Sequence, residues 1–162
     1  ALGAVSAMRA AGLGRLSVGI GSVRTVDDAR NAIGAGAEYL VTPTMQRGVI
    51  ELARTAQIPV VCGALTPTEL DAAHQAGADY VKLFPASAVG PRYLRDVLAP
   101  MPDLRIVPTG GVNAANIGEF RAAGAVGAGV GSELVDAATV AARDWGLLER
   151  RARTLVGAWH IS

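Results

Sequence analysis

The chain has 162 residues, the size of one ordinary domain with room for a sizeable core, and its 51% hydrophobic and 18% charged content excludes both disorder and collagen-like repetition. A single cysteine, Cys62, with only His74 and His160 beside it, excludes a disulfide scaffold and a zinc module. The net charge of +1 comes with dispersed arginines and no nucleic-acid stripe, and neither an apolar run near the roughly 18 residues of a membrane span nor a signal-peptide pattern is present, so the sequence reads as soluble and cytoplasmic.

Short apolar runs of strand length alternate with helix-period segments, the pattern of βα units on a parallel sheet. In chain order, Ala1–Ala11 reads as a helix and Leu16–Gly21 as a strand, followed by a helix over Val26–Ile33. Strand Tyr39–Thr42 leads to helix Arg47–Thr55, and strand Ile58–Cys62 to helix Pro67–Gln75. Strand Tyr80–Phe84 precedes helix Tyr93–Leu98, strand Arg105–Pro108 precedes helix Ala114–Ala122, and strand Val126–Val130 precedes a long helix from about Ala138 to Ala158. Ala35-Gly36-Ala37 recurs as Ala76-Gly77-Ala78 and as Ala123-Gly124-Ala125. Each is a helix end entering a strand, where glycine takes the left-handed terminating residue and small neighbours allow close packing.

Two constellations carry chemistry. Fourteen of the fifteen basic residues are arginine, and the one lysine, Lys82, lies inside the apolar run Tyr80-Val81-Lys82-Leu83-Phe84. Period-two alternation puts Tyr80, Lys82 and Phe84 on the face opposite Val81 and Leu83. Burial there lowers the amine's pKa and makes it a nucleophile able to form an imine with a carbonyl; the alternative is a structural lysine paired with a carboxylate. The second constellation is a pair of glycine-rich turns, Val107-Pro108-Thr109-Gly110-Gly111-Val112-Asn113 before a helix expected near Ala114, and Gly127-Ala128-Gly129-Val130-Gly131-Ser132 one βα unit later, with Ser132 as hydroxyl donor or helix cap. Their amides, with the Ser132 hydroxyl, can converge on an anion, and consecutive turns of this kind match the phosphate site after strands seven and eight of a (β/α)₈ barrel.

That numbering makes Leu16–Gly21 the third strand. Two βα units, roughly 40 to 60 residues, are therefore expected before Ala1, and residues 1–162 are expected to form a single (β/α)₈ TIM-barrel domain truncated at its amino end.

With Lys82 in Lys-Leu-Phe-Pro and the downstream Pro-Thr-Gly-Gly-Val, the sequence resembles, from Val18 to about Asp136, the class I aldolases that cleave 2-keto-3-deoxy-6-phosphogluconate and related 2-keto acids. The resemblance implies that Lys82 forms the Schiff base with pyruvate and that Thr109, Gly110, Gly111, Gly131 and Ser132 hold the substrate and its phosphate. It also implies that Ser22, in Gly19-Ile20-Gly21-Ser22-Val23, stands for a threonine at the pyruvate end, and that Pro43 lines the same pocket. The implied reaction gives pyruvate and glyceraldehyde 3-phosphate, with no metal or other cofactor, in a homotrimer. Residues 84–91 resemble the phosphogalactonate branch and residues 108–111 the phosphogluconate branch. The family's acid/base glutamate, and the arginine four residues beyond it, have no counterpart in this chain; Glu38 precedes its strand and is not nominated. The alternative reading is a phosphosugar isomerase or a non-catalytic phosphate-binding barrel, whose lysine would not be trapped as an imine. Cys62 is expected to be a buried small group, and Trp145 and Trp159 to pack against the barrel or a neighbouring subunit.

Overall fold

The computed structural model describes residues 2–11 and 16–160. The chain is an α/β fold whose contacts divide it into two compact units, Ala1–Lys82 and Leu83–Ser162.

The first unit contains α1 (Leu2–Ala10), α2 (Val26–Gly34), β1 (Leu40–Val41), α3 (Arg47–Thr55), β2 (Val60–Ala64), α4 (Pro67–Gln75) and the start of β3 (Tyr80–Leu83). Helices α3 and α4 have the predicted bounds. Ala1, with which the first predicted helix begins, lies outside the described residues. Local chemistry sets two of the helix starts. Thr25 accepts the Asp28 amide while the Asp28 carboxylate accepts the Thr25 amide, and Thr66 and Glu69 make the same reciprocal box. Such boxes satisfy donors that a helix start leaves open. The Thr25 hydroxyl holds the Asp28 carboxyl below its ordinary range, and the Thr66 amide does the same for Glu69.

The repeated Ala-Gly-Ala segments behave as the pattern predicts. Gly36, Gly77 and Gly124 have φ of 90°, 94° and 106°, and each following amide reaches back to close the helix end, Ala37 to Ala32, Ala78 to Ala73 and Ala125 to Phe120. This is the left-handed termination that favours glycine.

β1 and β2 pair in parallel with Leu40 opposite Val60 and Val41 opposite Val61, and β2 lies between β1 and β3. Leu40, Ile50, Val60 and Leu70 are fully buried between this sheet and its helices. The predicted strand Leu16–Gly21 is present only as a bridge from Ile20 to Leu40. Its hydrogen bonds, Glu38 N–H to Val18 and Ile20 N–H to Tyr39, all run to the β1 side, and one-sided pairing through Gly19 and Gly21 makes a short ladder.

The second unit holds the end of β3, a 3₁₀ turn (Ala86–Ala88), α5 (Gly90–Leu98), β4 (Ile106–Pro108), α6 (Ile117–Ala122), α7 (Ala137–Ala141) and α8 (Trp145–His160). The Thr109 amide donates to Leu83 O at 3.0 Å, and Val126 and Gly129 donate to Ile106 and Pro108. Leu83, Leu94, Ile106, Val112 and Phe120 form the core. The predicted strand Val126–Val130 is likewise reduced to one bridge, Thr109 to Gly129.

Three helix predictions are corrected, the first being that α5 starts at Gly90 rather than Tyr93, with Pro91 in its first turn, where a proline's missing N–H costs no helical bond. The single helix over Ala138–Ala158 is two, because Arg143 takes the left-handed conformation (φ 53°) and the Asp144 carboxylate starts α8 by accepting the Leu147 amide. α6 begins at Ile117 rather than near Ala114: the Asn113 and Asn116 side chains accept the amides of Ala115 and Asn113, a local alternative to helix that asparagine favours. Cys62 is fully buried. Trp145 is 59% exposed, whereas Trp159 lines an apolar cavity of about 440 Å³ with Ile117, Ala128, Val130 and Leu155.

Candidate active site

In the first unit the candidate residues sit where strands end. Lys82 is half-buried on β3, between the buried Val81 and Leu83, so the alternation read from the sequence holds. Burial pushes its amine below the ordinary 10.5, because the charged form loses hydration there. Ser22 follows the Ile20 bridge and is held at φ 61°, a conformation in which a non-glycine residue is strained and which clusters at functional turns.

Pro43 follows β1. It lines a cleft of about 480 Å³ with Arg24, Thr25, Asp28, Thr44 and Gln46. Ser22 lines a smaller one, about 220 Å³, with Leu2, Ile20, Gly21, Val23 and Asn31, and Asp28 borders both. Ser22 and Pro43 therefore open onto neighbouring clefts.

Residues not singled out from the sequence hold Pro43. The fully buried Thr42 donates its hydroxyl to Thr44 O at 2.7 Å and accepts the Gly63 amide at 3.0 Å, and a Cβ on Gly63 would collide with the Pro43 carbonyl. Their sequence signal is position: Thr42 and Cys62 end consecutive predicted strands, with Pro43 and Gly63 just beyond them.

Glu38 has a structural task. It pairs with Arg9 at 2.6 Å and accepts the Val18 amide at 2.6 Å, so it is not a candidate acid/base.

In the second unit Thr109, Gly110 and Gly111 form the turn after β4, with Gly110 and Gly111 at φ 88° and 77°. The turn's carbonyls are engaged: Thr109 O accepts the Ala86 amide at 2.8 Å, Gly110 O the Ser87 amide at 2.9 Å, and Gly111 O the Asn116 side-chain amide at 2.9 Å. Among the described residues, the amides of Gly110 and Gly111 donate to none. The same asymmetry recurs in the neighbouring turn. Gly131 O accepts from Leu134 and Val135 at 2.9 and 3.0 Å, while the amides of Gly131 and Ser132 donate to none among the described residues. The bridge from Thr109 to Gly129 ties the two turns together. Carbonyls turned to the protein and amides left over is what an anion-binding turn requires. The donors come from the turns themselves, since the six-residue α6 starts beyond them. Nor is Ser132 a helix cap, because Asp136 caps α7 through the Thr139 amide.

Among the described residues no group of three or more His, Cys, Asp or Glu is placed to hold a metal, and no helix is long and apolar enough to cross a membrane.

A family model described as KDPG and KHG aldolase matches residues 1–150. The chain is 37% identical over 118 residues to a probable 2-dehydro-3-deoxy-6-phosphogalactonate aldolase of Rhizobium meliloti (strain 1021), covering 72% of this chain and 56% of that protein. It is 36% identical over 129 residues to a 2-dehydro-3-deoxy-phosphogluconate aldolase of Treponema pallidum (strain Nichols), covering 79% of this chain and 61% of the relative. The chain thus spans about three-fifths of the length of these relatives. A solved structure described as native KDPGal superposes with a TM-score of 0.88 at 30% identity, over 96% of this chain and 74% of that one.

Proposed function

We propose a class I aldolase activity for this chain, which belongs to the KDPG and KHG aldolase family and shares its (β/α)₈ barrel fold. The observation that carries the reading is Lys82, the sole lysine, half-buried on a strand with its amine pushed below the ordinary value by burial.

The neutral Nζ attacks the C2 keto carbon of a 2-keto-3-deoxy-6-phospho sugar acid to give a carbinolamine, and uptake of one proton with loss of water gives an iminium. When the C4 hydroxyl gives up its proton to a base, its O–H electrons form the C4 carbonyl, the C3–C4 bond breaks and that bond's electron pair moves into the iminium, forming an enamine and releasing glyceraldehyde 3-phosphate. Protonation at C3 and hydrolysis then free pyruvate and restore the amine. The reading assigns Ser22 and Pro43 to the pyruvyl end and Thr109 to the substrate. It assigns Gly110, Gly111, Gly131 and Ser132 to the phosphate, on the strength of amides that donate to none among the described residues. The proton transfers are assigned to no residue of this chain.

The reading further expects one barrel domain over residues 1–162, a homotrimer and a cytoplasmic setting. Relatives named for both sugar-acid series make either epimer a substrate to be assayed.

Borohydride reduction in the presence of pyruvate tests the reading. One pyruvyl group should be fixed on Lys82, and Lys82→Ala should gain none. A wild-type protein that gains no mass, or a Lys82→Ala variant that gains the same mass, would overturn it.

A further inference from the structure

We propose that Thr42 is a positioning residue, whose buried hydroxyl sets the conformation of Pro43 and through it the pyruvyl end of the site; the inference rests on the aldolase reading above. The parallel ladder between β1 and β2 runs through Leu40 N–H to Pro59 O and Thr42 N–H to Val61 O. The next rung would take the Gly63 amide to the Thr42 carbonyl. Instead, Gly63 N–H donates to the Thr42 hydroxyl at 3.0 Å, and that hydroxyl donates in turn to Thr44 O at 2.7 Å.

The backbone ladder is therefore interrupted at Pro43. Proline has no N–H with which to continue a ladder, and a side-chain hydroxyl spans the gap by touching the chain on both sides of it. The approach is close enough that Gly63 tolerates no side chain against the Pro43 carbonyl. The Cys62 Sγ lies 3.9 Å from Thr44 O as well. Thr42 is fully buried and, with Thr139, one of two buried polar residues among those described. These contacts are made by its oxygen and not its methyl: valine at this position would leave the buried Gly63 amide without its acceptor and the Thr44 carbonyl with only the Cys62 Sγ, which is the costly outcome for buried polar groups.

The test compares Thr42→Val, Thr42→Ser and a control, Ile50→Val, which trims a fully buried side chain on α3. Two quantities are read: the pyruvate concentration giving half-maximal borohydride trapping on Lys82, and the exchange rate of the Gly63 amide. Thr42→Val should raise half-saturation about five- to tenfold, leave the maximum at one adduct, and speed Gly63 exchange. Thr42→Ser should stay within about twofold of wild type on both. Ile50→Val should lower thermal stability without moving half-saturation. Should Thr42→Val not fold, Thr42→Cys, with its weaker thiol partner, takes its place under the same expectation. A hydroxyl-less variant that saturates like wild type, or an Ile50→Val protein shifted as far, would overturn the inference while the aldolase reading stands. Failure of the wild type to form any adduct would overturn both.

Discussion

Gly129 and Thr109 face each other across a parallel bridge so closely that a Cβ on Gly129 would collide with the Thr109 hydroxyl. The absent side chain at 129 thus defines where Thr109 stands, and it joins the turn after β4 to the turn that carries Gly131 and Ser132. Gly129→Ala should push Thr109 aside at an overpacking cost of about 1–3 kcal/mol. The expected result is a lower melting temperature and a fall of about tenfold or more in kcat/KM for the phosphorylated substrate, with pyruvate trapping on Lys82 retained. Unchanged turnover would show that Thr109 has no part in the site.

Gly131 offers the cleaner test of phosphate binding. A Cβ there meets nothing within 4 Å, whereas at Gly111 it would lie 2.6 Å from the Ser87 Cβ in a left-handed backbone. Gly131→Asp therefore adds a carboxylate at the proposed anion site where a Cβ meets no neighbour. KM for the phosphorylated substrate should rise at least about tenfold through like-charge repulsion, while Gly131→Ala stays near wild type and half-saturation by pyruvate is unaltered in both. Equal losses for pyruvate and the phosphorylated substrate would refute the assignment.

The lowered pKa of Lys82 has a stability counterpart. Because the folded-state value lies below the ordinary 10.5, protonation favours the unfolded chain. The native state is penalised below the folded pKa, and the penalty fades as pH rises from that value toward 10.5. Lys82→Met should remove this rise while keeping the apolar stem. The difference in urea midpoint between the two proteins, followed from pH 7 to 10.5, should shift in favour of wild type as pH increases; a flat difference would show that Lys82 titrates as an ordinary lysine.

Asp136 has the opposite sign. Its carboxylate accepts the Thr139 hydroxyl at 2.6 Å and pairs with Arg151 at 2.5 Å, so it caps α7 and joins it to α8, and these bonds hold its pKa well below the ordinary 3.8. A carboxyl depressed on folding contributes stability above its unfolded value and loses it as pH falls from there toward the folded one. Acid unfolding should therefore steepen below about pH 4, and Asp136→Asn should lower the melting temperature at pH 7 yet lie closer to wild type at pH 2.5. A gap that stays constant with pH would remove the charged pairing from the account.

What was legible in the sequence is what acts over a few residues. The glycines at 36, 77 and 124 end helices from within the same turn, and Lys82 takes its face from two-residue alternation with Val81 and Leu83. Such interactions need no distant partner, so residue types and spacing suffice to read them.

The rest depends on groups that only folding brings together. Arg9 meets Glu38 across 29 residues of chain, and Thr42 meets Gly63 across 21. The strand at Leu16–Gly21 is limited by pairing on one side alone, and the start of α6 yields to the Asn116 side chain bound to Gly111 O. Composition told that Lys82 was singular and glycine turns told where an anion could sit. That the Thr109 and Gly110 carbonyls take the amides of Ala86 and Ser87, while among the described residues the Gly110 and Gly111 amides donate to none, follows from contacts across 23 residues of chain, because a backbone group's partner is set by what packs beside it rather than by its own residue type.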